Sequence, residues 1–286
     1  MNGGEGVHVG RGEFEHAGNR LSRRSWVPAT PARGVVVLVH GVAEHSGRYE
    51  YVARTLAAAG FAVYAFDHVG HGESAAAGSR ANIGSVDNAA DNVVALLDLA
   101  RAEHPGIPAF VIGHSMGALI TLYLATRAPL DVAGVVVSAP PLIIDAGNPA
   151  QRLLAPVLTR LAPNLGVLKL DSSQISRDPG VVAAYDNDAL VFRGKLPART
   201  ATEILTAAGT VLDRLPRLRV PTLALHGTGD AIAAPASTDR IEQHAGTTDL
   251  TVRRYDGLYH EIFNEPERDE VLADVISWLD ARAAAE

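Results

Sequence analysis

The stretch Phe110-Val111-Ile112-Gly113-His114-Ser115-Met116-Gly117 constrains the fold of this chain more than any other. An apolar run suited to a buried strand ends in Gly-x-Ser-x-Gly. An Ala- and Leu-rich helical pattern, Ala118 to Arg127, follows at once. A strand that turns sharply into a helix at a serine lifts that side chain to the edge of a sheet in strained torsions. Gly113 and Gly117 carry no Cβ, so strand and helix can approach without a clash. A plain Gly-Ser turn opening a buried helix would read the same, so the rest of the chain has to decide.

On either side of this stretch, strand and helix patterns alternate. Glu13–His16 and Leu21–Trp26 flank the turn signal Ala17-Gly18-Asn19 and predict a hairpin. Val35 to Val39 is a β-branched run of the kind buried on both faces of a parallel sheet. A helix over Tyr49–Ala59 closes at Gly60, and Phe61–Phe66 is the next buried strand. Asp87–Glu103 carries a helical stripe of Val93, Val94, Leu96, Leu97 and Ala100, stopped by Pro105. After the serine helix come strand Val132–Ser138, strand Thr222–His226, helix Ala236–His244 and strand Leu250–Tyr255. A last helix, Arg268–Arg282, completes the pattern. The expectation is an α/β fold with an open, mostly parallel eight-stranded sheet flanked by crossover helices.

The rhythm breaks between Leu142 and Ala207, where five prolines punctuate short helical pieces. Leu153, Leu154, Val157, Leu158 and Leu161 share one face of the first piece. Seven basic side chains against six acidic ones leave this segment near +1, and the remainder near −8. It reads as a helical cap (142–207) inserted after the sixth strand and lying over the sheet's C-terminal edge. The core is then 12–141 together with 208–286, behind a Gly-rich, frayed tail at 1–11.

At 286 residues and 47% hydrophobic content the chain can bury a large core. No apolar run approaches the ~18 residues of a membrane span. The N-terminus lacks the basic start and apolar centre of a signal peptide, which points to a cytoplasmic protein, peripheral to membranes at most. Zero cysteines remove disulfides, thiolate metal sites and cysteine nucleophiles together. A net charge of −7 without a basic block argues against nucleic acid as a partner. The oligomeric state is not legible.

A serine nucleophile needs a base, and the base an orienting acid. In sheets of this kind, sites gather where strands end in loops at their C-terminal edge. The strand to His226 runs into Gly227-Thr228-Gly229-Asp230, and the strand to Tyr255 into Asp256-Gly257-Leu258-Tyr259-His260. The order Ser115, Asp230, His260 is that of an α/β-hydrolase. Asp256 is a rival acid but sits close to His260 in sequence, where a turn role fits better. His226 ends a strand and reads as packed there. His40, His45, His68 and His71 are conceivable metal ligands, yet no adjacent carboxylate pattern resembles a metal motif, so neither metal nor cofactor is expected. An oxyanion needs donors. The N–H of Met116, opening the helix, is one. The N–H of Val42, in the loop after Val39, is the other.

These residues resemble a known family. His40-Gly41-Val42-Ala43-Glu44-His45-Ser46-Gly47-Arg48-Tyr49 is similar to the HGxxEHxxRY signature of monoacylglycerol lipases. Asp67-His68-Val69-Gly70-His71-Gly72-Glu73-Ser74 and the serine stretch are similar too, as are Ser176-Arg177-Asp178-Pro179 and Tyr185-Asp186-Asn187-Asp188. The resemblance continues through His226–Asp230 and Gly257–Glu265, with the nearest likeness to bacterial, actinobacterial-type enzymes. It implies an α/β-hydrolase with a mobile cap, a Ser–Asp–His triad, and removal of one acyl chain from glycerol by hydrolysis. It implies further that Glu44, Arg48 and Tyr185 help form a polar pocket for glycerol, with His114 also contacting substrate. A local ion pair between Glu44 and Arg48 is the plainer alternative. Ala118 stands where many relatives have glycine, and Asp188-Ala189-Leu190 where they often have Asp-Pro-Leu. The Leu- and Val-lined cap suggests transient contact with lipid surfaces, although packing onto the core would give the same pattern. A broad carboxylesterase or lysophospholipase on the same machinery is the runner-up, and a non-catalytic binding protein the alternative of a different class.

Overall fold

Val35, Val37 and Val39 face one hydrophobic layer, and Val36 and Leu38 the other. A strand with both faces apolar must lie in the middle of a sheet covered on both sides, and this one does. The computed structural model describes residues 6–76, 79–144 and 159–284. Its main sheet is built from β1 (Val7–His16), β2 (Asn19–Pro28), β3 (Gly34–Val39), β4 (Phe61–Phe66), β5 (Ala109–His114), β6 (Gly134–Ser138), and two later strands, Thr222–Gly227 and Leu250–Tyr255. In chain order the later pair are β9 and β10, because the insertion contributes β7 (Gly166–Leu168) and β8 (Leu196–Pro197). The spatial order is β1-β2-β4-β3-β5-β6-β9-β10. Pairs β1–β2 and β2–β4 are antiparallel, and every later pair is parallel.

Helices cover both faces. On one lie α2 (Val86–Glu103) and α3 (Met116–Arg127), with Leu96, Leu97, Leu119 and Ile120 fully buried against Val35, Val37 and Val111. On the other lie α1 (Glu50–Ala58) and the C-terminal helix Arg268–Ala283, which bury Leu56, Val275 and Trp278 against Phe61, Phe110 and Ile112. Side chains of this size contribute about 1.5–3 kcal/mol each on burial, so both layers stabilise the sheet strongly. The strand order reverses at β3: β4 lies on one side of it and β5 on the other. Such a switch point opens a crevice at the carboxyl ends of the strands.

Three boundaries depart from the sequence expectations. The first hairpin is longer, because β1 begins at Val7, which pairs with Pro28; residues 7–11 are therefore strand and not tail. The cap is not wholly helical: β7 and β8 pair antiparallel across it, before α4 (Pro179–Asn187) in the case of β7 and after it in the case of β8. Finally, the division at 207/208 falls inside one continuous helix, α5 (Ala198–Arg214). Its first turns belong to the insertion, while Ala207, Ala208 and Val211 pack into the core on the α3 side. Of the apolar face expected from Leu153 to Leu161, only Leu161 is among the described residues.

Candidate active site

The elbow has the geometry its glycines require. Ser115 sits at φ 52°, ψ −119°, a conformation that costs a non-glycine residue of order 1–3 kcal/mol and must be held by its surroundings. Its N–H donates to Ser138 O at 2.9 Å, tying the turn to β6. A Cβ on Gly113 would lie 2.3 Å from Gly117 O, and one on Gly117 would lie 2.0 Å from Val39 O. Strand, turn and helix close on one another only because both positions are glycine.

Loops after β9 and β10 bring two more of the expected residues to this serine. Ser115 Oγ lies 2.9 Å from His260 Nε2, and His260 Nδ1 lies 2.7 Å from Asp230 Oδ2. With Nδ1 donating to the carboxylate, Nε2 is left to accept the serine proton. All three residues are buried, Ser115 being 8% exposed. Asp230 also accepts the N–H groups of Ile232 and Ala233, at 2.8 and 2.9 Å. Burial by itself would raise its pKa, but hydrogen bonds from His226 and His260 hold it well below the usual carboxylate range. The acid therefore stays ionised, which is the state that fixes the imidazole tautomer. Asp256 contacts Thr228 Oγ1 at 3.2 Å on the surface and takes no part.

Val42 and Met116 both line the cavity in front of Ser115. Met116 opens α3, whose N-terminus points its free N–H groups and dipole at the serine. The loop after β3 is fixed by Glu44: its Oε1 accepts Gly41 N–H at 2.6 Å and Tyr49 O–H at 2.7 Å. Arg48 Nη1 donates to Glu44 Oε2 at 2.6 Å, so the local ion pair forms. It is not the whole of the arrangement. The Arg48 guanidinium also grips both oxygens of Glu261 at 2.7 Å and lies under the Tyr185 ring, 4.7 Å from its centroid. Burial would raise the Glu261 pKa, but Arg48 holds it down at about 2. His114 packs its ring 4.8 Å from that of His260, and burial lowers its pKa to about 4, leaving it neutral.

Most of these groups face a cavity of about 580 Å³, but Arg48, expected to contact substrate, is not on its wall: it holds Glu44 and Glu261, which are. Glu44, Glu261, Tyr185, His114 and His260 give its walls their polar positions, and Ile144, Val167, Leu168, Leu170, Leu196 and Leu205 are among the apolar ones, nearly all from the insertion. The second half of the insertion is stitched to the core. Glu261 N–H donates to Ile175 O at 2.8 Å, and Arg177 Nε donates to the fully buried Glu265 at 3.0 Å. His45 pairs with Asp188 at 2.8 Å, and Asp188 Oδ1 accepts the Leu190 N–H. Tyr185 thereby keeps its place beside Arg48.

Three residues here escaped sequence reasoning. Glu261 and Glu265 look like ordinary loop acids, and their partners Arg48 and Arg177 are far away in sequence. His226 was expected to pack; it does, but its Nε2 also reaches Asp230. The histidines His40, His68 and His71 do gather, with the rings of His68 and His71 centred 4.5 and 5.5 Å from that of His40. Their nitrogens do not converge. His40 Nδ1 donates to Gly41 O, His40 Nε2 accepts the His68 N–H, and His71 Nδ1 donates to Val69 O. Among the described residues, no group of three or more His, Cys, Asp or Glu side chains is placed to hold a metal ion.

Residues 30–267 match the Hydrolase_4 family, described as serine aminopeptidase, S33. The monoacylglycerol lipase of Mycolicibacterium smegmatis is 40% identical over 263 residues, 92% of this chain and 93% of that one. Human monoglyceride lipase is 33% identical over 271 residues, 93% of this chain and 89% of its own. The crystal structure of Paleococcus ferrophilus monoacylglycerol lipase superposes with a TM-score of 0.80 at 32% identity, over 96% of this chain and 99% of that one.

Proposed function

The chain belongs to the monoacylglycerol lipase family of α/β-hydrolases, and from that premise we propose that it cleaves monoacylglycerols to fatty acid and glycerol through an acyl-enzyme on Ser115. The observation that carries this reading is the line Ser115–His260–Asp230 on the wall of a cavity mostly apolar but polar around Glu44, Glu261 and Tyr185. In our reading, His260 Nε2 takes the Ser115 proton as Oγ attacks the ester carbonyl. The N–H groups of Val42 and Met116 receive the oxyanion, which removing a single such donor would weaken by roughly 3 kcal/mol. His260 returns the proton to the departing glycerol oxygen. Water then attacks the acyl carbonyl, giving a proton to the same nitrogen, which passes it to Ser115 Oγ as the ester bond to the serine breaks and the fatty acid leaves. Asp230 holds the imidazole tautomer and offsets its charge throughout. Apart from the water, every group these steps use belongs to the chain or the substrate.

The acyl chain fits the apolar walls supplied by the insertion, and the glycerol the end walled by Glu44 and Tyr185, which Arg48 holds in place. Ile143, Leu161, Leu165, Val167 and Leu168 are exposed on the insertion, and the last two also line the cavity. That continuity supports transient docking on lipid surfaces by a cytoplasmic enzyme that acts peripherally. No helix among the described residues is long and apolar enough to cross a membrane.

The test is a rate comparison on monoolein, diolein, triolein, lysophosphatidylcholine and a short nitrophenyl ester, with Ser115→Ala as control. Strong preference for monoolein, lost in Ser115→Ala, is the expected result. Equal rates across the panel would point to a broad esterase, and turnover surviving Ser115→Ala would remove the serine assignment altogether.

A further inference from the structure

The polar end of the cavity is not electrically balanced. Two carboxylates, Glu44 and Glu261, share one guanidinium, Arg48, and all three side chains are buried, between 5% and 9% exposed. Among the described residues, every hydrogen-bond partner of both acids is a donor: Gly41 N–H, Tyr49 O–H and Arg48 on Glu44; Arg48 twice and Asn264 Nδ2 on Glu261. Acceptor-only duty is what an ionised carboxylate does. Three other titratable groups facing this end do not restore the balance. His114 is neutral by burial, and Tyr49 and Tyr185 are held protonated, with pKa values raised by burial. The cluster therefore carries one net negative charge beside a mostly apolar space, where a charge is poorly screened.

We propose that Glu261 is a specificity-determining residue whose charge makes the leaving-group end of the cavity select uncharged polyol esters and reject esters whose headgroup carries a phosphate. The inference rests on the monoacylglycerol reading above and deepens it. Glu261 is suited to this role rather than to gripping substrate. Three donors already occupy its two oxygens, so at most about one lone-pair direction is left for a hydroxyl. Glu44 and Arg48 alone would form a neutral pair, and Glu261 is what tips the sum. A glycerol hydroxyl meets acceptors here and can donate to them. A phosphate meets acceptors and a net charge of its own sign, and the one cation is already fully engaged.

The experiment measures kcat/KM for three substrates below their aggregation limits: 1-lauroylglycerol, 1-lauroylglycerol 3-phosphate and 4-nitrophenyl butyrate. Enzymes are the wild type, Glu261→Gln and Glu261→Asp. The wild type should favour the neutral over the phosphorylated ester by about a hundredfold or more, Glu261→Gln should narrow that ratio by about tenfold, and Glu261→Asp should keep it. A purely structural role would depress all three substrates together and leave the ratio alone, which overturns the proposal. So would comparable wild-type rates on both glycerol esters, a result that stands even if Glu261→Gln does not fold. Turnover of the nitrophenyl ester with neither glycerol ester hydrolysed would remove the monoacylglycerol reading, and this proposal with it.

Discussion

His226 Nε2 lies 3.1 Å from Asp230 Oδ2, on the same carboxylate oxygen that receives His260. The tautomer of His226 follows from its neighbours. Ala233 O, 3.0 Å from Nε2, can only accept, so Nε2 carries a hydrogen, and Thr238 Oγ1 lies 2.7 Å from Nδ1. His226 is thus a donor locked behind the acid, and a positioning residue for it. Replacing His226 by Ala removes a hydrogen bond to a charged group, worth about 1.5–3 kcal/mol. We expect kcat on a nitrophenyl ester to fall about tenfold or more with KM little changed. A variant with a lower melting temperature and unaltered kcat would show His226 to be packing alone.

The sheet, its central strands and its flanking helices were legible because burial on two faces leaves unbroken apolar runs such as Val35 to Val39, and burial on one side leaves helical stripes. Ser115, Asp230 and His260 could be proposed because each follows a readable strand end. Their supports could not. Glu261 is paired with an arginine 213 positions away, and nothing in its local sequence says so. The insertion was least readable: its strand pair is three residues against two, too short for any alternation to register.

Glycine positions separate by what a methyl group would meet. Gly117→Ala would force Cβ to 2.0 Å from a backbone oxygen of β3, and neither atom can move aside. We expect loss of soluble protein, or destabilisation of at least about 3 kcal/mol together with loss of activity. Gly209, exposed within α5, would meet nothing within 4 Å, and Gly209→Ala should stabilise by about 0.5–1 kcal/mol. Urea unfolding of both variants checks the pair; equal midpoints would contradict it.

Acid should weaken the fold through its buried histidines. Burial lowers the pKa of His40 to about 4, of His71 to about 3 and of His114 to about 4, and carries His68 well below its ordinary value. Unfolded, these groups titrate near 6.5. Between roughly pH 6.5 and 4 the unfolded chain binds more protons, so stability present above this window is lost as pH falls through it. The slope is at most about 1.4 kcal/mol per pH unit for each histidine. Asp230 and Glu261, whose folded pKa values are depressed, add a further loss below about pH 4.5. Among the described residues neither ring nitrogen of His68 has a hydrogen-bond partner, and the ring packs against Phe66 and His40, so His68→Phe should flatten the upper part of the curve. Unfolding midpoints that do not change between pH 7.5 and 5, in the parent protein, would refute the assignment.

The exposed apolar side chains of the insertion make the remaining prediction. Leu161 is 78% and Leu165 51% exposed, and neither lines the cavity, whereas Val167 and Leu168 a few residues on are both exposed and part of its wall. An apolar rim that runs from the outer surface into an acyl site gives a lipid a continuous low-polarity path. Each leucine inserted into a bilayer interface contributes up to about 1.5–3 kcal/mol, so replacing both by serine should reduce liposome co-sedimentation at least tenfold. Hydrolysis of monoolein presented in vesicles should fall with it, while the rate on a dissolved nitrophenyl ester stays within about twofold, because the serine and its cavity are untouched. Parallel loss on both substrates would mean that the leucines stabilise the insertion, and undiminished sedimentation would mean that lipid is met elsewhere on the surface.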